Sequence, residues 1–195
     1  MTDQPWMVLI GPAATGKSTL GTLLAEATGR PFVDIDAVAS PYYAETGWTM
    51  DRLRDRVRSA GRVAAEREWE PARAHAVRRV VDDHPGAIIS LGAGHSHYTQ
   101  VELFAQVRAA LAGVRHVVLV LPSPDRRACV DILRRRSLAS KRTDWIAEDG
   151  HDFLAEWVED AGNERLATVT LYTLDESPEQ SAARLLSVCD AAERE

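Results

Sequence analysis

Gly11-Pro12-Ala13-Ala14-Thr15-Gly16-Lys17-Ser18 is the stretch whose reading decides the fold. It has the spacing GxxxxGK[ST]. It follows an apolar run of strand length, Trp6–Ile10, and opens a helical period from Lys17 to about Thr28 that Gly29 and Pro31 close. Glycines at both ends let the backbone curl until its N–H groups converge on a phosphate. The start of the helix adds the positive end of its dipole. Lys17 can reach the outer phosphates of a nucleotide, and the Ser18 hydroxyl can serve a magnesium ion. Strand, loop and helix in this order predict a nucleotide site built by Gly11, Ala13, Ala14, Thr15, Gly16, Lys17, Ser18 and Thr19.

Outward from this loop, apolar runs alternate with helical periods, the pattern of an α/β protein with a mainly parallel sheet. Further strands are expected at Phe32–Asp36, Ala87–Leu91, His116–Leu121 and Thr168–Thr173. Helices are expected over Arg62–Asp83, from a Thr99 cap to Leu111, from Pro124-Asp125 to Arg136, over Asp152–Ala161, and from Pro178 to about Ala192. Asp51–Arg58 carries Leu53 and Val57 at helical spacing. Residues 137–150 are charged with little periodicity and read as a mobile loop that ends in Gly150.

The chain has 195 residues, 23 basic and 29 acidic, for a net charge of −6. An acidic surface argues against binding nucleic acid by phosphate neutralisation. No apolar stretch approaches the roughly 20 residues needed to span a bilayer, and the first residues do not form a signal peptide. A cytoplasmic protein is expected, with no membrane partner, as monomer or homodimer. Cys129 and Cys189 lie in apolar helical patterns and read as buried thiols rather than zinc ligands.

The class of phosphate-loop protein is narrowed by what accompanies the loop. No Asn/Thr-Lys-x-Asp guanine reader is present. The third and fourth strands end in Ser90-Leu91 and Leu121-Pro122, without the acid that motor-type ATPases put there. Asp34 and Asp36 are the acids at a strand end near the loop, on one strand face by their spacing. Arg134, Arg135, Arg136, Lys141 and Arg142 form a dense basic cluster. Part of it complements a helix C-terminus, and part can serve a transferring phosphoryl group, for which Arg136 and Arg142 are the candidates.

With these residues in view, the chain resembles shikimate kinase and its phosphate-loop kinase relatives. Ser18-Thr19-Leu20-Gly21 resembles that family's first helix, Asp34-Ile35-Asp36 its Asp-x-Asp strand, and Gly92-Ala93-Gly94 its glycine segment. The basic helix end and the Ser177-Pro178 turn follow in the expected order. The resemblance implies a three-layer α/β/α fold with a five-stranded parallel sheet in the order 2-3-1-4-5, an acceptor-binding helical insert at about 37–84 and a lid at about 137–150. It implies ATP and Mg²⁺, transfer of the γ-phosphoryl group to a small-molecule hydroxyl, and Arg134 and Pro178 beside the nucleotide. Asp34 would hold the metal's water shell with Ser18 as ligand. Asp36 would contact the acceptor hydroxyl and take its proton. Arg67, in an Arg-x-x-Glu pattern with Glu70, would bind the acceptor, with Gly92, Ala93, Gly94 and His95 lining the space around it.

The chain also departs from that family. Ala93 replaces a glycine, the lid lacks Arg-Pro-Leu-Leu, and Val158-Glu159-Asp160-Ala161-Gly162 is acidic where the family places a carboxylate-clamping arginine. Exchanging a bidentate arginine for an acid reverses the preference for an anion. A neutral or amino-bearing polyol, sugar or cyclitol is therefore expected in preference to shikimate. A nucleoside or nucleotide kinase, and a non-catalytic ATP-binding regulator, are the alternatives. His95 and His97 read as a polar pocket wall, with no third ligand for a metal. Tyr42, Tyr43 and Trp48 could stack on a ring or pack the insert; Trp69, Trp145 and Trp157 read as packing.

Overall fold

The computed structural model describes residues 4–192. β1 (Met7–Ile10) enters the phosphate loop, and α1 (Lys17–Thr28) leaves it, ending at Gly29 in the left-handed conformation. β2 (Phe32–Asp34) runs straight into α2 (Ile35–Val38), followed by α3 (Ser40–Ala44), α4 (Met50–Ala60) and the long α5 (Arg62–Asp83). β3 (Ile88–Ser90), a 3₁₀ turn at Ala93–His95, α6 (Val101–Leu111) and β4 (His116–Leu121) come next. The chain then forms α7 (Arg126–Lys141), α8 (Phe153–Glu159), α9 (Ala161–Leu166), β5 (Val169–Tyr172) and α10 (Pro178–Ala192).

The five strands form one parallel sheet in the order β2-β3-β1-β4-β5, as the resemblance implied. β1 lies at its centre with all four residues buried. Successive side chains leave a strand on opposite faces, and this divides the core in two. Met7, Leu9 and Val120 meet α1 and α10 through Leu20, Leu24 and Leu185. Val8, Ile10 and Leu119 meet the helices of the other layer through Val77, Val107 and Leu133. Cys129 and Cys189 are buried in these opposite cores.

Four expectations are corrected. Phe32–Asp36 is not one strand: Asp34 caps α2 by accepting the Asp36 N–H at 3.1 Å, so Ile35 and Asp36 are already helical. Thr99 does not cap α6, whose cap position is Gln100; the Thr99 N–H and hydroxyl go to Glu70 on α5 instead. The basic helix runs on to Lys141, because Ser137 turns into the core and Ser140 bonds back to the Arg136 carbonyl, which leaves 142–150 as the irregular part. The helix expected over Asp152–Ala161 stops at Glu159: Asp160 caps a second helix, α9, and the buried Asn163 amide donates to the Trp157 carbonyl.

Candidate functional site

Gly11 has φ 126° and Gly16 φ 93°, conformations that a Cβ resists. At Gly11 space is limiting as well, since a Cβ would lie 2.7 Å from the Val120 carbonyl oxygen on the neighbouring strand. Lys17 folds back over the loop and donates to the carbonyls of Gly11 (2.8 Å) and Pro12 (2.7 Å). Burial lowers its pKa to about 8, against the opposing pull of Asp36. The Ser18 hydroxyl donates to Asp34 at 2.6 Å. Among the described residues no cluster of three or more His, Cys, Asp or Glu could hold a metal. The oxygens of Ser18 and Asp34 nevertheless fit Mg²⁺, an ion that takes one or two protein ligands and completes its shell with phosphate and water.

A cavity of about 710 Å³ extends from the loop toward α4 and α5. It collects Lys17, Ser18, Asp36, Gly92, Ala93, Gly94, His95 and Arg136 from the residues expected at a site. A smaller cavity of about 260 Å³ lies on the far side of the loop, between Thr19, Val120 and Pro178. Arg136 lines both.

Three expected residues are elsewhere. Arg134 is ion-paired with Asp152 and lines neither cavity. Arg142 is exposed at the end of α7, in the left-handed conformation, and Lys141 lines the large cavity in its place. Arg67 points away from the cavity into a cluster of acids, Glu156 and Glu70. The acidic stretch that stands for the missing arginine is also outside: Glu159 is exposed, and Asp160 accepts from His97 at 2.7 Å. Burial opposes a charge on His97, but its hydrogen bonds to Asp160 and Glu156 outweigh that and raise its pKa to about 9. The same histidine holds the pKa of both acids down against their burial.

The wall of the cavity on the α5 side is built by one face of that helix: Arg62, Glu66, Trp69 and Arg73, spaced four, three and four residues apart. That spacing is the helical signal that could have found them. Arg73 is 3% exposed and lies 3.5 Å from Glu66, which also meets Arg62 at 3.7 Å. Trp145 and Trp157 line the cavity too, edge to face at 5.0 Å, with the Arg62 guanidinium 4.9 Å from the Trp145 ring. Tyr43 and Trp48 are buried in the core.

The sequence model of the family described as shikimate kinase matches residues 13–190. The chain belongs to the shikimate kinase family. It is an ATP-dependent kinase acting on a small molecule, as the loop and its surroundings anticipated. A relative in Thermobifida fusca named shikimate kinase is 31% identical over 194 residues, covering 98% of this chain and 99% of its own. One in Streptomyces coelicolor, of the same name, is 32% identical over 150 residues, covering 72% and 74%. The fold matches that of shikimate kinase from Acinetobacter baumannii in complex with shikimate, with TM-score 0.70, 21% identity and coverage of 98% and 96%. Among the described residues no helix is long and apolar enough to cross a membrane.

Proposed function

We propose that this family member transfers the γ-phosphoryl group of ATP to a hydroxyl of a neutral or amino-bearing polyol, sugar or cyclitol in preference to shikimate. The observation that carries this reading is Glu66. Its carboxylate stands in the acceptor end of the cavity and is shared by Arg62 and Arg73. An acceptor carboxylate would have to take a guanidinium from Glu66 and sit beside two acids, Glu66 and Asp36, in a partly desolvated site. A hydroxyl can accept from an arginine and donate to Glu66 at once. The preference expected from Glu159 thus rests on a different acid, one that faces the cavity.

In this reading Lys17 leaves its own loop for the β- and γ-phosphates, and the Arg136 and Lys141 charges stand by the transferring group. Asp36 takes the proton of the acceptor hydroxyl. Ser18 would bind Mg²⁺ directly and Asp34 through water, and the bound ion would offset phosphate charge. Thr19 and Pro178 would flank the nucleotide in the smaller cavity. The insert at about 37–84 supplies the acceptor wall and 142–150 the moving part of the lid, in a cytoplasmic enzyme.

A second reading, shikimate itself, is favoured by the name of the Thermobifida fusca relative and by the presence of Arg73, a buried cation, in the cavity. Acceptor-dependent ADP release separates the two. Shikimate, myo-inositol, glucose and 2-deoxystreptamine are compared side by side, in the wild type and in Glu66→Gln. The neutral or amino compounds should be turned over and shikimate should gain only in Glu66→Gln. Robust, saturable shikimate phosphorylation by the wild type would sink the first reading. Asp36→Asn should abolish transfer to the preferred acceptor while ATP binding persists.

A further inference from the structure

Gly92 has φ −65° and ψ 158°, an extended backbone open to any residue. Glycine is needed there for space. A Cβ at Gly92 would run into Asp36 Oδ1 and would lie 2.7 Å from His95 Nδ1. Asp36 comes from the start of α2, and His95 from the 3₁₀ turn after β3. Both reach over the same bare Cα.

His95 is 3% exposed and lines the large cavity, and among the described residues its Nδ1 has no hydrogen-bond partner. Its Nε2 lies 2.6 Å from the hydroxyl of Tyr43, which is buried on α3. Burial, followed by the charge of Asp36, pushes the Tyr43 pKa up, so the phenol keeps its proton. No other acceptor for that O–H is found among the described residues, so Tyr43 donates to Nε2. Burial and then the Arg73 charge lower the imidazole pKa to about 3, against a smaller opposing effect of the Gly92 carbonyl. A neutral imidazole that accepts at Nε2 carries its proton on Nδ1. The result is a buried N–H donor that completes no hydrogen bond among the described residues, feels only a weak pull from the Gly92 carbonyl, and stands beside the gap that the Asp36 carboxylate oxygen also enters.

We propose that His95 is a positioning residue for Asp36: its Nδ1–H closes onto Oδ1 over Gly92 when the acceptor binds, and Oδ2 is left to receive the hydroxyl proton. Tyr43 fixes the tautomer that makes this possible. An imidazole kept neutral cannot compete with Asp36 for the proton; it only holds the carboxylate in one orientation. The inference rests on the proposed role of Asp36 and is independent of which acceptor is preferred.

Two measurements test it. Nitrogen-15 NMR of histidine-labelled protein, with no acceptor present, should show His95 protonated on Nδ1 and not on Nε2. The opposite tautomer would overturn the proposal by itself. Kinetics then use ATP with shikimate, myo-inositol, glucose and 2-deoxystreptamine. Asparagine at this position places an N–H where Nδ1 stands, and leucine does not. His95→Leu should lower kcat on the order of 10- to 100-fold, with the KM for ATP unchanged. His95→Asn should recover most of that loss, and Tyr43→Phe should fall between the two. Equal impairment of the asparagine and leucine variants, with thermal melting and ADP affinity as in the wild type, would mean that His95 only packs. So would a leucine variant with full kcat. Inactivity of the wild type on every acceptor would count against the proposed function, and the tautomer would still decide the role of His95.

Discussion

The Lys17 ammonium is hydrogen-bonded within its own loop. Its donation to the Gly11 and Pro12 carbonyls already makes two charge-assisted hydrogen bonds, which contact with phosphate would exchange for bonds between opposite charges. Lys17→Ala should weaken binding of a non-hydrolysable ATP analogue by roughly 1.5–3 kcal/mol, the range for a hydrogen bond to a charged group, and toward its lower end because of that exchange. Calorimetry measures this directly. The loss in kcat should be larger, since the lysine also offsets charge that develops during transfer. Unchanged affinity and turnover would remove Lys17 from the phosphate site. Arg67 is the contrasting residue. Its Arg-x-x-Glu pattern suggested an acceptor contact, yet Glu70 and Glu156 occupy it from behind the cavity wall.

The elements that carry the phosphate site were legible because their signals are local. The loop, its flanking strand and α1 follow from glycine positions and apolar periods within about 25 consecutive residues. The acceptor side was less so, because it depends on which face of α5 turns inward and on caps that only tertiary contacts select. Glu70 shows this: its carboxylate is fully buried, and it draws the Thr99 hydroxyl and N–H away from the α6 cap. The boundary of the lid was missed for the same reason. Ser137 looked like loop, but its hydroxyl accepts from the Trp145 indole at 3.1 Å and its side chain is buried. Hydrogen exchange should therefore divide the proposed lid. Amides of 137–141 should be protected without ligand, and those of 142–150 should gain protection only with nucleotide and acceptor together. Uniform exchange across 137–150 would contradict the helical extension.

Across the whole molecule, His97 joins the turn after the 3₁₀ segment to α8 and α9 through Glu156 and Asp160. Arg67 on α5 and His151 before α8 meet the same Glu156. Because the folded pKa of His97 is raised to about 9, its contribution is fully present below its unfolded value of about 6.5 and is lost as pH rises through 9. Stability measured by urea unfolding should fall by on the order of 2–3 kcal/mol between these limits, counted once for the coupled cluster. His97→Gln should flatten that slope; an unchanged slope would exclude the cluster as its source. Arg136, which borders both cavities, has a different consequence. With nucleotide and acceptor placed as proposed, one guanidinium would face both and tie their affinities together, and such a tie is reciprocal: the factor by which nucleotide strengthens acceptor binding equals the factor by which acceptor strengthens nucleotide binding. Titrating each ligand with and without the other should give one common factor above unity, and Arg136→Ala should bring it close to one. The enzyme would then hold its two substrates more tightly as a pair than singly, and the departure of either would loosen its grip on the other.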